Sequence, residues 1–155
     1  MVQKQKETVL ALLKSQISNK SYENNYWFSY KDFLNPTDDF TDFACENLDG
    51  KLEYITVIKN LLYADETAKI FVEVYGLDED DNKPWVYADT LIIFSRLPLH
   101  KVKEIFNAPR DIYPSDIGEL PDFDQHNFII DENGDLVPVS NSYNNEQSIY
   151  YCWWD

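Results

Sequence analysis

The sequence has 155 residues, a length that predicts one domain able to bury a sizeable core. It carries 13 Lys and Arg against 28 Asp and Glu, which gives a formal net charge of −15. This charge argues against nonspecific binding to nucleic acid or to an anionic membrane, because both need cations on the protein. The composition instead favours a soluble domain with a basic partner.

The chain shows no targeting signal. Its N-terminal apolar run at 9–13 is too short for a signal peptide, and no stretch approaches the length of about 18 apolar residues that would suggest a membrane span. Cys45 and Cys152 belong to no metal-type spacing, and two separate thiols are expected rather than a disulfide. We therefore expect a cytoplasmic protein.

The first element in the chain is an amphipathic helix over about 3–18. Val9, Leu12, Leu13 and Ile17 lie on one face of it at helical spacing. The lysines of this segment outnumber its single glutamate, so its basic face is expected to dock on the acidic body of the protein. The alternative is that this basic face forms a separate contact surface.

The next segment, 21–47, is rich in aromatic residues but has weak periodicity, which predicts irregular structure with one helical turn near Ser29–Leu34. Asp49-Gly50 then signals a turn. Three apolar segments follow: Leu52–Leu62, Ala68–Leu77 and Trp85–Phe94. Period-two alternation predicts that the second is a strand, and richness in β-branched and aromatic residues predicts that the third is a strand. The first fits a strand or a helix, and we favour a strand.

The remaining elements complete the predicted sheet. A polar connection at 78–84 ends in a proline that is expected to block strand pairing. A short helix is predicted over Leu97–Asn107. Three strands are predicted after it: Phe128–Ile130, Leu136–Val139 and Ser148–Trp154. Pro138 makes the second of these a candidate for an edge strand. The predicted fold is one α+β domain over 1–155, a single antiparallel sheet of about five to six strands with both helices packed on it.

The sequence offers little catalytic chemistry. Its glycines are too scattered for a phosphate loop, and its histidines and cysteines are too far apart for a zinc site. Asp78, Asp80, Asn82 and Asp89 have calcium-loop spacing, but Lys83 stands where the turn needs glycine, so a solvated hairpin loop is favoured. We expect no cofactor, no metal and no enzymatic activity. A small hydrolase with paired carboxylates remains an alternative, because 28 acids guarantee that some lie close together.

The clearest anomaly is the distribution of charge in the last third of the chain. Residues 111–155 contain ten acids and no Lys or Arg, whereas a solvated face usually mixes both signs. The same stretch contains eight Tyr, Phe and Trp residues. Aromatic anchors ringed by carboxylates suit a surface that binds a Lys- and Arg-rich partner. The alternative is that the rings are core and the acids only keep the protein soluble.

Three short motifs carry a resemblance to a known class of protein. They are Trp85-Val86-Tyr87-Ala88-Asp89-Thr90, Pro114-Ser115-Asp116-Ile117-Gly118-Glu119 and Trp153-Trp154-Asp155. With them the chain resembles small acidic immunity proteins of bacterial polymorphic and contact-dependent toxin systems. The resemblance implies a cytoplasmic inhibitor that protects its own cell from a secreted toxin domain, in many cases a basic nuclease.

We therefore expect an immunity protein that binds a cationic toxin domain and blocks its active site or substrate path. The resemblance implies that this toxin is a nuclease. It is expected to be a monomer or a weak homodimer. The alternative is an intracellular adaptor or assembly subunit unrelated to toxins. Asp89 is expected to be a structural hydrogen-bonding residue. The predicted partner-binding residues are Asp116, Glu119, Asp122, Asp124, Tyr113, Asp131, Glu132 and Trp154.

Overall fold

The computed structural model describes residues 1–44, 50–123 and 125–155. Within these ranges the helices are α1 (Gln3–Asn19), α2 (Tyr30–Phe33), α3 (Gly50–Ala64) and α4 (Leu99–Asn107), with a 3-10 turn at Val139–Ser142. The strands are β1 (Asn25–Ser29), β2 (Thr41–Phe43), β3 (Lys69–Asp80), β4 (Lys83–Ser95), β5 (Asp116–Glu119), β6 (Asn127–Ile130), β7 (Leu136–Pro138) and β8 (Ser148–Trp153). Three residues that the sequence analysis singled out lie outside the described residues: Cys45, Asp49 of the expected Asp49-Gly50 turn, and Asp124.

All eight of these strands belong to one sheet, in the order β5-β8-β4-β3-β1-β6-β7, with β2 paired to β4. The α+β class is therefore confirmed. The prediction of a purely antiparallel sheet of five to six strands was wrong, because β1 pairs with β6 and β2 pairs with β4 in parallel. Parallel pairs join segments that are distant in the chain, so turn signals in the sequence do not reveal them.

The β3–β4 hairpin is the longest feature of the sheet. Asp81 and Asn82 form its two-residue turn, and both have positive φ, as the tight turns that suit twisted strands require. Pairing continues up to this turn, where Glu79 faces Pro84 and Asp80 faces Lys83. The prediction that Pro84 blocks pairing was therefore wrong. The polar segment is a strand-paired arm that carries its acids away from the core.

The helices cover one face of the sheet. Segment 52–62, which we predicted as a strand, lies within α3; this prediction was wrong. The buried side chains of α3 include Tyr54, Val57, Ile58 and Leu61, and their helical spacing outweighs the local β-branched composition. They pack in the main core with residues of α1, α4 and the sheet. Burying this continuous apolar face provides most of the stability of the fold.

The α1 helix confirms the predicted element, and it docks on the body of the protein mainly through its apolar face. Val9 and Leu13 are buried, while Ile17 is 51% exposed. Lys6 is the lysine of α1 that contacts the acidic body: its ammonium lies 3.5 Å from Asp38 and 5.3 Å from the centre of the Phe40 ring. The basic face therefore docks at one point, and most of the helix is held by apolar contact.

The opposite face of the sheet divides into a covered half and an uncovered half. Trp27, Phe71, Ile92 and Phe94 belong to a second apolar cluster, over which segments 120–123 and 139–143 fold. Toward the turn of the β3–β4 hairpin, the described residues provide no helix or loop of this kind. This uncovered half is where the exposed aromatic rings of the sheet lie.

Several smaller predictions are confirmed. A helical turn follows β1, α4 occupies the predicted second helix, and β7, which contains Pro138, is an edge strand. Cys152 is a buried free thiol whose pKa is raised by burial. Among the described residues, no helix combines the length and the hydropathy needed to cross a membrane.

Candidate functional site

The uncovered half of the sheet brings aromatic rings and carboxylates together, and we call it the acidic–aromatic face. Strand register assembles it: Trp85 of β4 faces Asp78 of β3, while Thr90 faces Trp153 of β8, which in turn faces Asp116 of β5. The face consists of five aromatic residues and five aspartates: Tyr75, Trp85, Tyr87, Tyr151, Trp153, Asp42, Asp78, Asp89, Asp116 and Asp155.

Two glycines allow two of the tyrosine rings to lie against the sheet. Gly76 faces Tyr87 and Gly118 faces Tyr151 in the strand register. A Cβ atom added to Gly76 would lie 2.9 Å from the Tyr87 hydroxyl oxygen, and one added to Gly118 would lie 2.6 Å from that of Tyr151. Each ring thus occupies the space that a side chain on the neighbouring strand would fill.

Asp89 lies at an irregularity of the β3–β4 pairing. Glu73 faces Thr90 while Val74 faces Ala88, so Asp89 is the extra residue of a β-bulge. Its carboxylate accepts hydrogen bonds from the Thr90 hydroxyl at 2.8 Å and from the Trp153 indole N–H at 3.2 Å. Asp89 therefore makes the hydrogen bonds that we predicted for it. The same bonds hold its charge beside the aromatic rings.

Two adjoining clefts open on this side of the protein and share Asp42 and Trp85. The first has a volume of about 470 Å³, and its lining includes Asp39, Asp80 and Lys83. Lys83 forms an ion pair with Asp39 there. The second has a volume of about 420 Å³ and is lined by the following residues: Asp42, Ala44, Asp78, Trp85, Tyr87, Ala88, Asp89, Trp154 and Asp155.

The negative charge of the face contributes to the raised pKa values of two of its tyrosines. The pKa of Tyr87 is raised by partial burial and by the neighbouring Tyr75, Asp78 and Asp89. The pKa of Tyr151 is raised because its hydroxyl donates a 2.7 Å hydrogen bond to Asp116. Both phenols therefore stay neutral well above physiological pH, and the carboxylates supply the charge of the face.

Glu73 is the acid closest to the pattern expected of a hydrolase. Burial raises its pKa against the opposing effect of a 2.7 Å hydrogen bond from the Trp27 indole, and the charge of Asp89 raises it further. Glu73 nevertheless lines neither of the two clefts described above. Its carboxylate is used to satisfy a buried indole of the second apolar cluster.

The predicted contact residues around β5 are only partly brought together. Asp116 lies at the end of β5 that borders the acidic–aromatic face, whereas Glu119 lies at the opposite end. Tyr113, which precedes β5, is 63% exposed. Asp122 is exposed in the segment that follows β5, and Asp124 lies outside the described residues.

The other predicted residues lie elsewhere. Asp131 and Glu132 are in the turn between β6 and β7, at the far edge of the sheet, where the Asp131 carboxylate accepts hydrogen bonds from the backbone N–H groups of Asn133 and Asp135. Trp154 is only 7% exposed. This burial corrects its place in the predicted contact set: the neighbouring Trp153 is the exposed ring of the pair.

Trp154 instead anchors the main core. Its ring packs edge-on against Phe43, Tyr54 and Phe106, and its indole N–H donates a 2.7 Å hydrogen bond to the Ile112 carbonyl. One edge of it also lines the second cleft. It therefore supports the floor of the acidic–aromatic face from the helical side.

Sequence reasoning missed Asp42, Asp78 and Asp155 as members of one surface. Asp42 reaches it only because β2 pairs in parallel with β4, where Asp42 faces Tyr87. The usable signal was the set of three motifs that carried the resemblance. Their segments 85–90, 114–119 and 153–155 converge on this face through the pairing of β4, β8 and β5.

The fold and site define an α+β protein with an exposed face of aromatic rings and carboxylates. Within the described ranges, no group of three or more His, Cys, Asp or Glu side chains has an arrangement that could hold a metal ion. Comparison with family models, curated proteins and solved structures found no match to this chain. Function is therefore inferred from the geometry of the face itself.

Proposed function

We propose that this protein is an immunity protein that binds and neutralises a cationic toxin domain, with a nuclease as the expected toxin, through the acidic–aromatic face. The proposal depends on one observation: five aromatic rings and five aspartates share a surface that the described parts of the chain leave uncovered. Lys83, which borders this surface, is already paired with Asp39. The face thus presents negative charge to a partner.

The exposed rings favour protein binding over simple solubility. Tyr75 is 71% exposed and Trp153 is 38% exposed. Solubility requires the carboxylates but gains nothing from large rings in contact with water. In an interface, such rings supply buried apolar area and interact favourably with Lys and Arg across their faces. This combination supports a basic protein partner.

The inhibitory mechanism would be substitution for the substrate. A nuclease binds the phosphate groups of its substrate with Lys and Arg. The aspartates of the face would form ion pairs with these side chains in place of the phosphates, while the aromatic rings exclude water from the contact. The negative field would also guide the toxin domain to this face. Steering of this kind raises association rate constants to about 10⁸–10⁹ M⁻¹s⁻¹ at low salt.

The direct test is growth protection. The gene beside the one that encodes this chain is expressed from an inducible promoter, alone and together with this protein. We expect the neighbouring product to arrest growth and this protein to relieve the arrest. Two triple variants locate the binding surface: the face variant Asp78→Lys, Asp116→Lys, Asp155→Lys, and the distal variant Asp122→Lys, Glu132→Lys, Asp135→Lys.

The two variants change the net charge equally, and all six positions are exposed. We expect the face variant to lose protection and the distal variant to keep it. Protection lost only in the distal variant would assign binding to the acids outside the face and reject the proposed surface. A stable complex with a neighbouring product that does not arrest growth would reject the immunity function and favour the adaptor alternative.

A further inference from the structure

We infer that the second cleft, between Trp85 and Asp155, binds an arginine side chain of the cationic partner. This inference depends on the proposed function, because it assumes that the partner is a basic protein. It adds the chemistry of the central contact: a planar guanidinium, and not the ammonium of a lysine.

The two clefts provide an internal comparison. They share Asp42 and Trp85, and both are lined by aspartates. In the first, the chain's own Lys83 pairs with Asp39, and the lowered pKa of Asp39 follows from that hydrogen bond and charge. The first cleft thus contains a cation of the protein itself, whereas the lining of the second includes Asp78, Asp89 and Asp155 and no Lys or Arg of the described residues.

The walls of the second cleft favour a flat cation. The Trp85 and Tyr87 ring centroids are 5.6 Å apart with an angle of 52° between the ring planes. Both rings are half-buried, which limits their movement and removes part of their hydration. Guanidinium stacks on aromatic faces and is weakly hydrated, whereas ammonium is a compact and strongly hydrated charge. The ring wall therefore favours arginine.

The carboxylates are placed to receive several donors. The bonds from Thr90 and Trp153 fix the Asp89 carboxylate and use two of its roughly four acceptor positions. Asp42, Asp78 and Asp155 line the same cleft. Arginine has five N–H donors in a rigid plane and can bond two carboxylates while its flat face stacks on a ring, whereas the ammonium of lysine has no flat face to stack.

The inference is tested with two small probes, N-acetyl-arginine amide and N-acetyl-lysine amide, titrated into the full-length protein. Binding is followed by the indole N–H resonances of the four tryptophans. We expect the arginine probe to shift the Trp85 resonance and to bind about five- to tenfold more tightly than the lysine probe. Hexalysine, tested against the face variant defined above, measures general cation binding by the face.

Substitutions separate the cleft from its surroundings. Trp85→Leu is expected to abolish the preference for arginine, while Tyr63→Leu, which removes an exposed ring of α3 outside the acidic–aromatic face, is expected to keep it. Lys83→Ser removes the resident cation of the first cleft and is expected to add a second binding site for the arginine probe. Retention of a single site in this variant would contradict the comparison of the two clefts.

Failure of the inference is distinguishable from failure of the proposed function. Equal affinity for the two amides, or arginine-dependent shifts that spare Trp85, would overturn the arginine site. If hexalysine binding is still lost in the face variant, the basic-partner proposal remains supported. If hexalysine binds the face variant as tightly as the unmodified protein, both proposals fail.

Discussion

The ring of Tyr151 lies over Gly118 of the neighbouring strand, and its hydroxyl donates a 2.7 Å hydrogen bond to Asp116. A methyl group at Gly118 would come within 2.6 Å of the ring's hydroxyl oxygen. The side chain of residue 118 therefore controls where Tyr151 lies on the acidic–aromatic face. This relationship can be measured through the pKa of the phenol.

We expect Gly118→Ala to displace the Tyr151 ring and to destabilise the protein by about 1 kcal/mol, because the site is already filled. Losing the bond to Asp116 should lower the Tyr151 pKa toward its ordinary value. Chemical denaturation measures the first effect, and a pH titration of the ring carbon resonances measures the second. Tyr151→Phe is the control that keeps the ring but removes the hydrogen bond.

An unchanged Tyr151 pKa in Gly118→Ala would show that the ring accommodates the methyl group without moving. In that case the glycine would not be required for the position of the ring.

Lys51 is expected to be critical for stability although it is charged. It is fully buried, and its ammonium donates hydrogen bonds to the Asp38 carbonyl at 2.7 Å and to the Thr41 hydroxyl at 2.8 Å. Lys51→Met leaves these acceptors without their donor and should cost about 2–4 kcal/mol of unfolding free energy. Lys59→Met, at an exposed position on the same helix, should change it by less than about 0.5 kcal/mol.

Equal stability of the two methionine variants would show that the hydrogen bonds of Lys51 contribute no net stability. The hydrogen bonds of Lys51 connect α3 to the segment that leads into β2. Their loss in Lys51→Met should therefore also disturb the β2 side of the acidic–aromatic face.

The sequence predicted α1, α4 and the strands β3, β4, β6, β7 and β8, but it did not predict the short strands β1, β2 and β5. β5 has the sequence Asp-Ile-Gly-Glu, a poor strand former, and it becomes a strand because β8 pairs with it. β2 has only three residues and is defined by its parallel partner. Tertiary pairing determines both, and a local pattern carries no information about it.

For α3, the sequence did contain the relevant signal, which is the helical spacing of its apolar residues, but we gave more weight to its β-branched composition. Ile55, Thr56, Val57 and Ile58 give a local run of β-branched residues, yet the buried positions recur at helical spacing. The candidate site, too, could be predicted only in part. Charge excess near the C-terminus was visible in the sequence, but the contribution of β2 and the hairpin arm to the acidic–aromatic face required the fold.

Asp65 is expected to make stability depend on pH. Burial acts to raise its pKa, but hydrogen bonds from Thr67, the backbone N–H of Arg96 and the Ser95 hydroxyl outweigh this effect and hold it below the ordinary 3.8. A depressed folded-state pKa gives stability that is present above the unfolded value and lost as the pH falls through the folded value. Its loss should therefore occur below about pH 4.

Asp65→Asn is expected to lower the unfolding free energy at neutral pH by about 2 kcal/mol, since the bonds to a charged acceptor are weakened. The difference from the unmodified protein should shrink as the pH falls below 4, because the native carboxyl is then protonated. Denaturation at a series of pH values measures this convergence. Glu66→Gln, at the exposed neighbouring position, should run parallel to the unmodified protein; curves that stay separated for Asp65→Asn would contradict the role of its charge.

The acidic–aromatic face is expected to control the rate of partner association. Once the toxin domain is in hand, stopped-flow mixing at about 0.1 M salt should show that the face variant Asp78→Lys, Asp116→Lys, Asp155→Lys associates about 10- to 100-fold more slowly. The distal variant Asp122→Lys, Glu132→Lys, Asp135→Lys carries the same change in net charge at positions outside the acidic–aromatic face. It should lose much less, because interactions beyond the Debye length of about 10 Å are screened at 0.1 M salt.

Salt dependence separates local steering from net charge. The unmodified protein and the distal variant should both slow as ionic strength rises, whereas the face variant should respond weakly because little attraction remains to be screened. Dissociation rates should change less than association rates, since all three substituted positions of the face are exposed. Equal slowing of association in the two variants would mean that the partner responds to the total charge of the chain. This result would contradict the assignment of the acidic–aromatic face as the binding surface.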